Sequence, residues 1–277
     1  MGEQEDHRVA TDTTEVTGIE SFGVKMYIGA NRPEVIPRLP SVLPPGAVLA
    51  PVRDAVHRMA IIGNDHGTYQ VNIDGAPFAD MVPLDLALEV LEEAVHARVS
   101  LNAPDLIFVH AGAVAHKGRA ILLPGPSFAG KTTLVAALVR AGATYYSDEF
   151  APLDAEGRVH PYAKPLSLRG ADLFQTDHAV ETLGGVAGEE PLPVGLVVKS
   201  IYRAGATWAP RRIGPGAGAL ALLANTIPAY ERPEQSMQAI ARAIDGAVVL
   251  EGDRGEADEI AASLLAEVEG RAHAPPD

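Results

Sequence analysis

Eight consecutive residues, Gly125-Pro126-Ser127-Phe128-Ala129-Gly130-Lys131-Thr132, fit the pattern G-x-x-x-x-G-K-[ST], with Thr133 directly after them. The glycines allow the chain to wrap a phosphate group with backbone N–H donors, and a helix starting at the lysine adds about half a positive charge facing the same anion. In this pattern Lys131 reaches the β- and γ-phosphates and the Thr132 hydroxyl ligates Mg²⁺. The plain alternative is a turn rich in small residues with a solvated lysine. The flanks argue against that, because "RAILLP" reads as an apolar strand and "KTTLVAALVR" as a helix rich in Ala, Leu and Val. The expected ligand is therefore a nucleoside triphosphate, ATP first, with Mg²⁺.

A second group of residues has the right types to act on a bound phosphate. Asp148-Glu149 follows the strand-like "ATYYS", one helix and one strand after the phosphate loop. This spacing predicts both carboxylates at the carboxyl end of a strand neighbouring the loop's own strand, the edge where open α/β sheets bind ligands. One carboxylate can hold Mg²⁺ and the other can accept a proton from an attacking hydroxyl, and spacing does not assign the roles. The plain alternative here is an exposed acidic turn. His110 ends "DLIFVH" and is a candidate acid, base or donor beside the phosphates, although a histidine at a strand end is more often structural. Arg169 in "PLSLRG", and more weakly Arg203, Arg211 and Arg212, are candidates to stabilise charge on a transferring phosphoryl group. Ser127 and Ser147 show no histidine-carboxylate pattern of a hydrolase.

The surrounding elements must hold these groups together. Residues 1–17 are polar and acidic and read as a flexible tail, and residues 271–277 as another. Residues 18–103 hold short alternating stretches such as "FGVKMYI" and "TYQVNI" between turn residues, then Pro83 followed by Leu84, Leu88, Leu91 and Val95 at helical spacing. They predict a small β-rich domain ending in a helix. Residues 104–270 alternate strands and helices, with a turn at His116 to Gly118, a helix over 131–140 stopping at Gly142, a hairpin at "DAEGR", and helices over 233–243 and 256–268. The fold class expected is α/β.

Composition limits the partners. Acidic residues outnumber basic ones 36 to 22, a net charge of −14, so the overall field disfavours nucleic acid and anionic membrane surfaces. There is no cysteine, which excludes disulfides, thiolate zinc sites and thiol nucleophiles. The first residues lack an apolar signal segment and no stretch is long enough for a membrane span, so the expectation is a cytoplasmic protein.

The order "VHAG", "ILLPGPSFAGKTT", "YYSDEF", "PLSLRG" resembles the C-terminal catalytic domain of HPr kinase/phosphorylase, and more closely the shorter bacterial HPr-kinase-like proteins that include kinases of lasso peptides. The similarity spans residues 105–170. It implies a P-loop catalytic domain with a mixed β-sheet and a homo-oligomer. It also implies active-site roles for His110, Lys131, Thr132, Asp148 and Glu149, with Thr132 and Asp148 on the metal and Glu149 as the base. Two departures stand out: Glu149 replaces the family's usual second aspartate, and Ser167 stands where a glutamate usually precedes "xRG". The second weakens the case for a reverse phosphorolysis and for HPr as substrate. What the resemblance implies is transfer of a phosphoryl group from ATP to a hydroxyl, serine first, of a peptide or protein. A small-molecule acceptor, or a nucleotide-binding switch without transfer, are the alternatives.

Overall fold

Along residues 107–124 the apolar side chains alternate between two faces, and each face meets its own set of helices. The computed structural model describes residues 15–126, 129–169 and 175–272. The chain splits into two compact units, Met1–Asp105 and Leu106–Asp277.

In the first unit, β1 (Glu15–Ser21), β2 (Val24–Ala30), β3 (Val48–Leu49), β4 (His57–Gly63), β5 (Tyr69–Ile73) and β6 (Ala76–Val82) form one sheet in the order β3-β1-β2-β4-β5-β6. The β2–β4 pair is parallel and the other pairs are antiparallel. Helix α1 (Leu84–Asn102) follows, with Ala87, Leu88, Leu91, Val95 and Val99 buried at the spacing of one helix face. Residues 15–17, expected in the tail, are instead the first residues of β1 and pair with Ile28, Gly29 and Ala30. The rest of that expected tail, residues 1–14, lies outside the described residues, as do residues 273–277.

The second unit contains β7 (Ile107–His116), β8 (Arg119–Pro124), α2 (Lys131–Arg140), β9 (Thr144–Ser147), β10 (Phe150–Leu153), β11 (Arg158–Val159), β12 (Leu166–Arg169), β13 (Gln175–His178), β14 (Leu192–Tyr202), β15 (Arg211–Arg212), α3 (Pro215–Leu223), α4 (Pro233–Ile244), β16 (Val248–Arg254) and α5 (Ala257–Ala272). Its main sheet runs β11-β10-β7-β8-β14-β16-β15, with β9 also on β7, while β12 and β13 pair in a separate two-stranded sheet. The sheet is mixed, since β14 is parallel to both β8 and β16 whereas β7 is antiparallel to β8.

Because strand side chains alternate, Val114, Ile121 and Leu123 face a core shared with Leu134 and Leu138 of α2 and with Ile260 and Leu264 of α5. Their neighbours Ala113, Ala120 and Leu122 face the opposite core, with Leu222 of α3 and Ala239 and Ile240 of α4. Helix α2 ends where expected. The Gly142 N–H bonds Val139 O and the Ala143 N–H bonds Leu138 O, a C-terminal lock that needs the left-handed φ of 102° at Gly142.

The structure departs from the sequence expectation in the strand order. Strand β9 pairs with β7 and not with the loop's strand β8, so β7 lies between them. Both β8 and β9 run antiparallel to β7, and their carboxyl ends, Pro124 and Ser147, stand opposite Ala111 and Ala113 of β7. The two ends meet at the same edge although the strands are not neighbours.

Candidate active site

Strand β8 delivers the chain to Gly125, and Gly130 caps α2 with φ 77° and ψ 25°. Gly130 makes no side-chain cap, so the first N–H groups of α2 point toward the space in front of the loop with no side chain from the cap to satisfy them. The Lys131 ammonium folds back over the loop and donates to Gly125 O at 2.9 Å and Pro126 O at 2.8 Å. Burial pushes its pKa below the ordinary value, partly opposed by Asp148 and Glu149. The Ala129 N–H bonds Pro126 O and tightens the turn. Ser127 and Phe128, also expected to cradle phosphate, lie outside the described residues. Thr133 is exposed on the first turn of α2.

The acidic pair interrupts a ladder. Ser147 of β9 stands opposite Ala113, and Phe150 of β10 opposite His110, so β9 and β10 pair successive parts of β7 with Asp148 and Glu149 between them. The buried Ser147 hydroxyl oxygen accepts the N–H groups of Glu149 and Phe150, at 3.1 and 2.9 Å, and so holds the break in place.

Asp148 is buried, with the Thr132 side chain beside its carboxylate. The Tyr145 hydroxyl lies 3.1 Å from its Oδ1 and 2.8 Å from the Lys164 carbonyl, while the Ser167 N–H reaches Oδ2 at 3.4 Å. A phenol has one hydrogen and two acceptors here, so it is shared between them unless Asp148 is protonated and donates in turn. Burial raises the Asp148 pKa, and the charge of Lys164 and the bonds from Thr132 and Tyr145 oppose that rise.

Glu149 points to a different partner, with its Oε2 2.9 Å from the Lys164 ammonium. His110 is half-buried, and its ring lies 6.0 Å from that of Phe150. Burial lowers its pKa, the Lys131 charge lowers it further, and Glu149 opposes both. At neutral pH the imidazole is therefore neutral and offers one donor and one acceptor nitrogen.

The structure thus brings His110, Lys131, Thr132, Asp148 and Glu149 to one sheet edge. It does not do the same for the outlying arginines. Arg203, Arg211 and Arg212 form surface ion pairs with Asp253, Glu251 and Glu267. Arg169 ends β12, and its side chain lies outside the description. Three residues at this edge escaped the sequence reading: Lys164 in the turn before β12, Tyr145 one helix after the loop, and Arg254 at the end of β16. Arg254 lies behind the loop, where its Nη2 bonds Gly130 O at 2.9 Å. Only the isolated arginine after the apolar "AVVLE" strand hinted at this last one.

The raised Asp148 pKa has a consequence for stability. A carboxyl group with a folded pKa above the ordinary 3.8 is neutral in both states at low pH, and stability is lost as pH rises through the folded value. Asp148→Asn removes that loss. As pH rises from 4 to 7, the thermal midpoint of the wild type should fall relative to that of Asp148→Asn. Parallel midpoint-against-pH curves for the two proteins would show that no such penalty exists.

No protein-family model matches the chain, and no curated protein matches it in sequence. Among solved structures, the Hpr(Ser) kinase/phosphatase from Coxiella burnetii superposes with a TM-score of 0.35 at 14% identity, covering 60% of this chain and 95% of that one. An overlap this loose carries no argument about function.

Proposed function

We propose that this chain is an ATP- and Mg²⁺-dependent kinase of the HPr-kinase-like kind, transferring a phosphoryl group to a hydroxyl, serine first, of a peptide or protein. The observation that carries this reading is the placement of Thr132, on the first turn behind the phosphate loop, beside the buried carboxylate of Asp148, whose pKa it helps to hold down. It puts two hard oxygen donors next to the loop, and Mg²⁺ is commonly held by one or two carboxylates together with substrate phosphates. Thr132 and Asp148 would hold the ion. Bound there, Mg²⁺ supplies neutralisation of the charge on the phosphate oxygens.

The chain's own groups account for the remaining steps. The N–H groups at the start of α2 and the Lys131 ammonium bind the phosphates, with the ammonium exchanging the Gly125 and Pro126 carbonyls for phosphate oxygens. Glu149, positioned by Lys164, accepts the proton of the acceptor hydroxyl. The hydroxyl oxygen then bonds to the terminal phosphorus as the bridging P–O bond breaks, and ADP leaves with that bond's electrons. His110 orients the hydroxyl through a neutral ring nitrogen.

The test is product analysis with terminally labelled ATP, a serine-peptide library and a mixture of small hydroxylated metabolites. The expected result is a labelled peptide, and Thr132→Ala should need about tenfold more Mg²⁺ for half-maximal transfer. A labelled metabolite would replace the peptide acceptor by a small one. Bound ATP with no labelled product would replace the kinase by a nucleotide-binding switch.

A further inference from the structure

Arg254 is buried to 2% exposure, yet among the described residues no carboxylate forms an ion pair with it. Charged side chains are rarely buried to this degree unless they are paired. Its partners are backbone carbonyls: Nη2 reaches Gly130 O at 2.9 Å and Ala129 O at 3.5 Å, and Nη1 reaches Gly255 O at 3.2 Å. The guanidinium also lies over the Tyr202 ring, 5.4 Å from its centre, and the Tyr202 hydroxyl is fixed by Glu256 at 2.9 Å. Among the described residues its buried Nε has no hydrogen-bond partner, and Arg254 lines a cavity of about 10 Å³ together with Ser200 and Lys131. That is about the space of one water molecule.

The fit between loop and arginine is close. A Cβ added to Gly130 would lie 2.4 Å from Nη2, and the φ of 77° there already favours glycine. The glycine before Lys131 is thus tied to an arginine more than a hundred residues later in the chain.

We propose that Arg254 is a positioning residue for the polyphosphate of the bound nucleotide, and that it acts by anchoring the carbonyls of Ala129 and Gly130. This inference rests on the phosphate-loop reading above. Among the described residues no peptide is cis, and in a trans peptide the N–H points opposite the C=O. The Gly130 carbonyl also accepts the Leu134 N–H at 3.1 Å, so Arg254 and the first turn of α2 together hold the N–H groups of Gly130 and Lys131 toward the phosphate. The arginine also brings a positive charge behind the start of α2, with the Glu256 carboxylate near enough to interact with it but forming no ion pair. An unanchored loop would have to order itself when the nucleotide binds, and that ordering would weaken the affinity.

The experiment is calorimetric titration of ADP, without and with Mg²⁺, into wild type, Arg254→Ala, Arg254→Lys and Lys131→Ala. Arg254→Ala should bind ADP about 10- to 100-fold more weakly, and millimolar guanidinium, too dilute to denature, should restore most of that loss. Arg254→Lys should fall between, because one ammonium cannot span the carbonyls of both the loop and Gly255. Guanidinium should do nothing for Lys131→Ala. A purely structural role would lower the thermal midpoint but give no rescue of affinity by guanidinium. Wild-type affinity in folded Arg254→Ala would overturn the proposal, as would a loss that guanidinium leaves unchanged. If Arg254→Ala does not fold, wild-type affinity in Arg254→Lys would overturn it equally. Absence of ADP binding by the wild type would instead overturn the phosphate-loop reading, and this inference with it.

Discussion

Replacing Lys131 by alanine should leave a folded protein whose ATP-dependent transfer is reduced by about 10²- to 10³-fold, the cost of removing one preorganised charge from a transition state. Lys131 is the first residue of α2, and alanine has the best helix propensity there, so the helix itself loses nothing. What disappears is the ammonium held over Gly125 O and Pro126 O at the mouth of the loop. Among the described residues, the neighbouring cations are already engaged. Lys164 is engaged by Glu149, and Arg254 is fixed behind the loop by carbonyls. Steady-state rates, with circular dichroism as the check on folding, measure the effect. Turnover near the wild-type value in a folded Lys131→Ala protein would remove the loop from the chemistry.

The carboxylate pair should show the other large effect, and the two members should differ in kind. Glu149→Gln keeps shape and volume but loses the basic lone pair facing Lys164. Nucleotide affinity should stay close to wild type while transfer falls by about 10²- to 10⁴-fold, the usual range for general-base catalysis. Asp148→Asn weakens the oxygen site shared with Thr132. Its signature should be a higher Mg²⁺ requirement, with a smaller loss of maximal rate once the ion is in excess. Magnesium titrations of the rate separate the two. The surroundings support this division, because Asp148 is buried among Thr132, Tyr145 and the Ser167 N–H whereas Glu149 is less enclosed and faces a lysine.

Local patterns in the sequence revealed much of this site. Helix α2 is legible because one short segment holds the glycines, the lysine and an apolar helix, and α2 spans the expected residues. Asp148 and Glu149 stand out because a strand ends just before them. Long-range pairing is not written in such patterns. The order that places β9 on β7 depends on which strand edges remain free once β14 has paired with β8, so the sequence led to the wrong neighbour while correctly predicting the edge. Lys164 and Arg254 join the site only through tertiary packing, and neither belongs to a motif. Strand β6 is mostly exposed and lacks the alternation that marks a half-buried strand. Helix α3 contains two glycines that lower its helix propensity, although Pro215 at its first turn is a start signal that could have revealed it.

We propose that a phosphoryl group moves at the edge where Lys131, Asp148 and Glu149 meet. The most direct test is single-turnover transfer from terminally labelled ATP, with enzyme in excess, to the acceptor found by product analysis. Wild type, Asp148→Asn and Glu149→Gln would be compared across a range of Mg²⁺ concentrations. Label should reach the acceptor as fast as ADP forms in the wild type, Glu149→Gln should bind ATP but hardly transfer, and excess Mg²⁺ should partly restore Asp148→Asn. Wild-type transfer rates and an unchanged Mg²⁺ response in both variants would contradict this proposal, and would make the pair a solvated acidic turn.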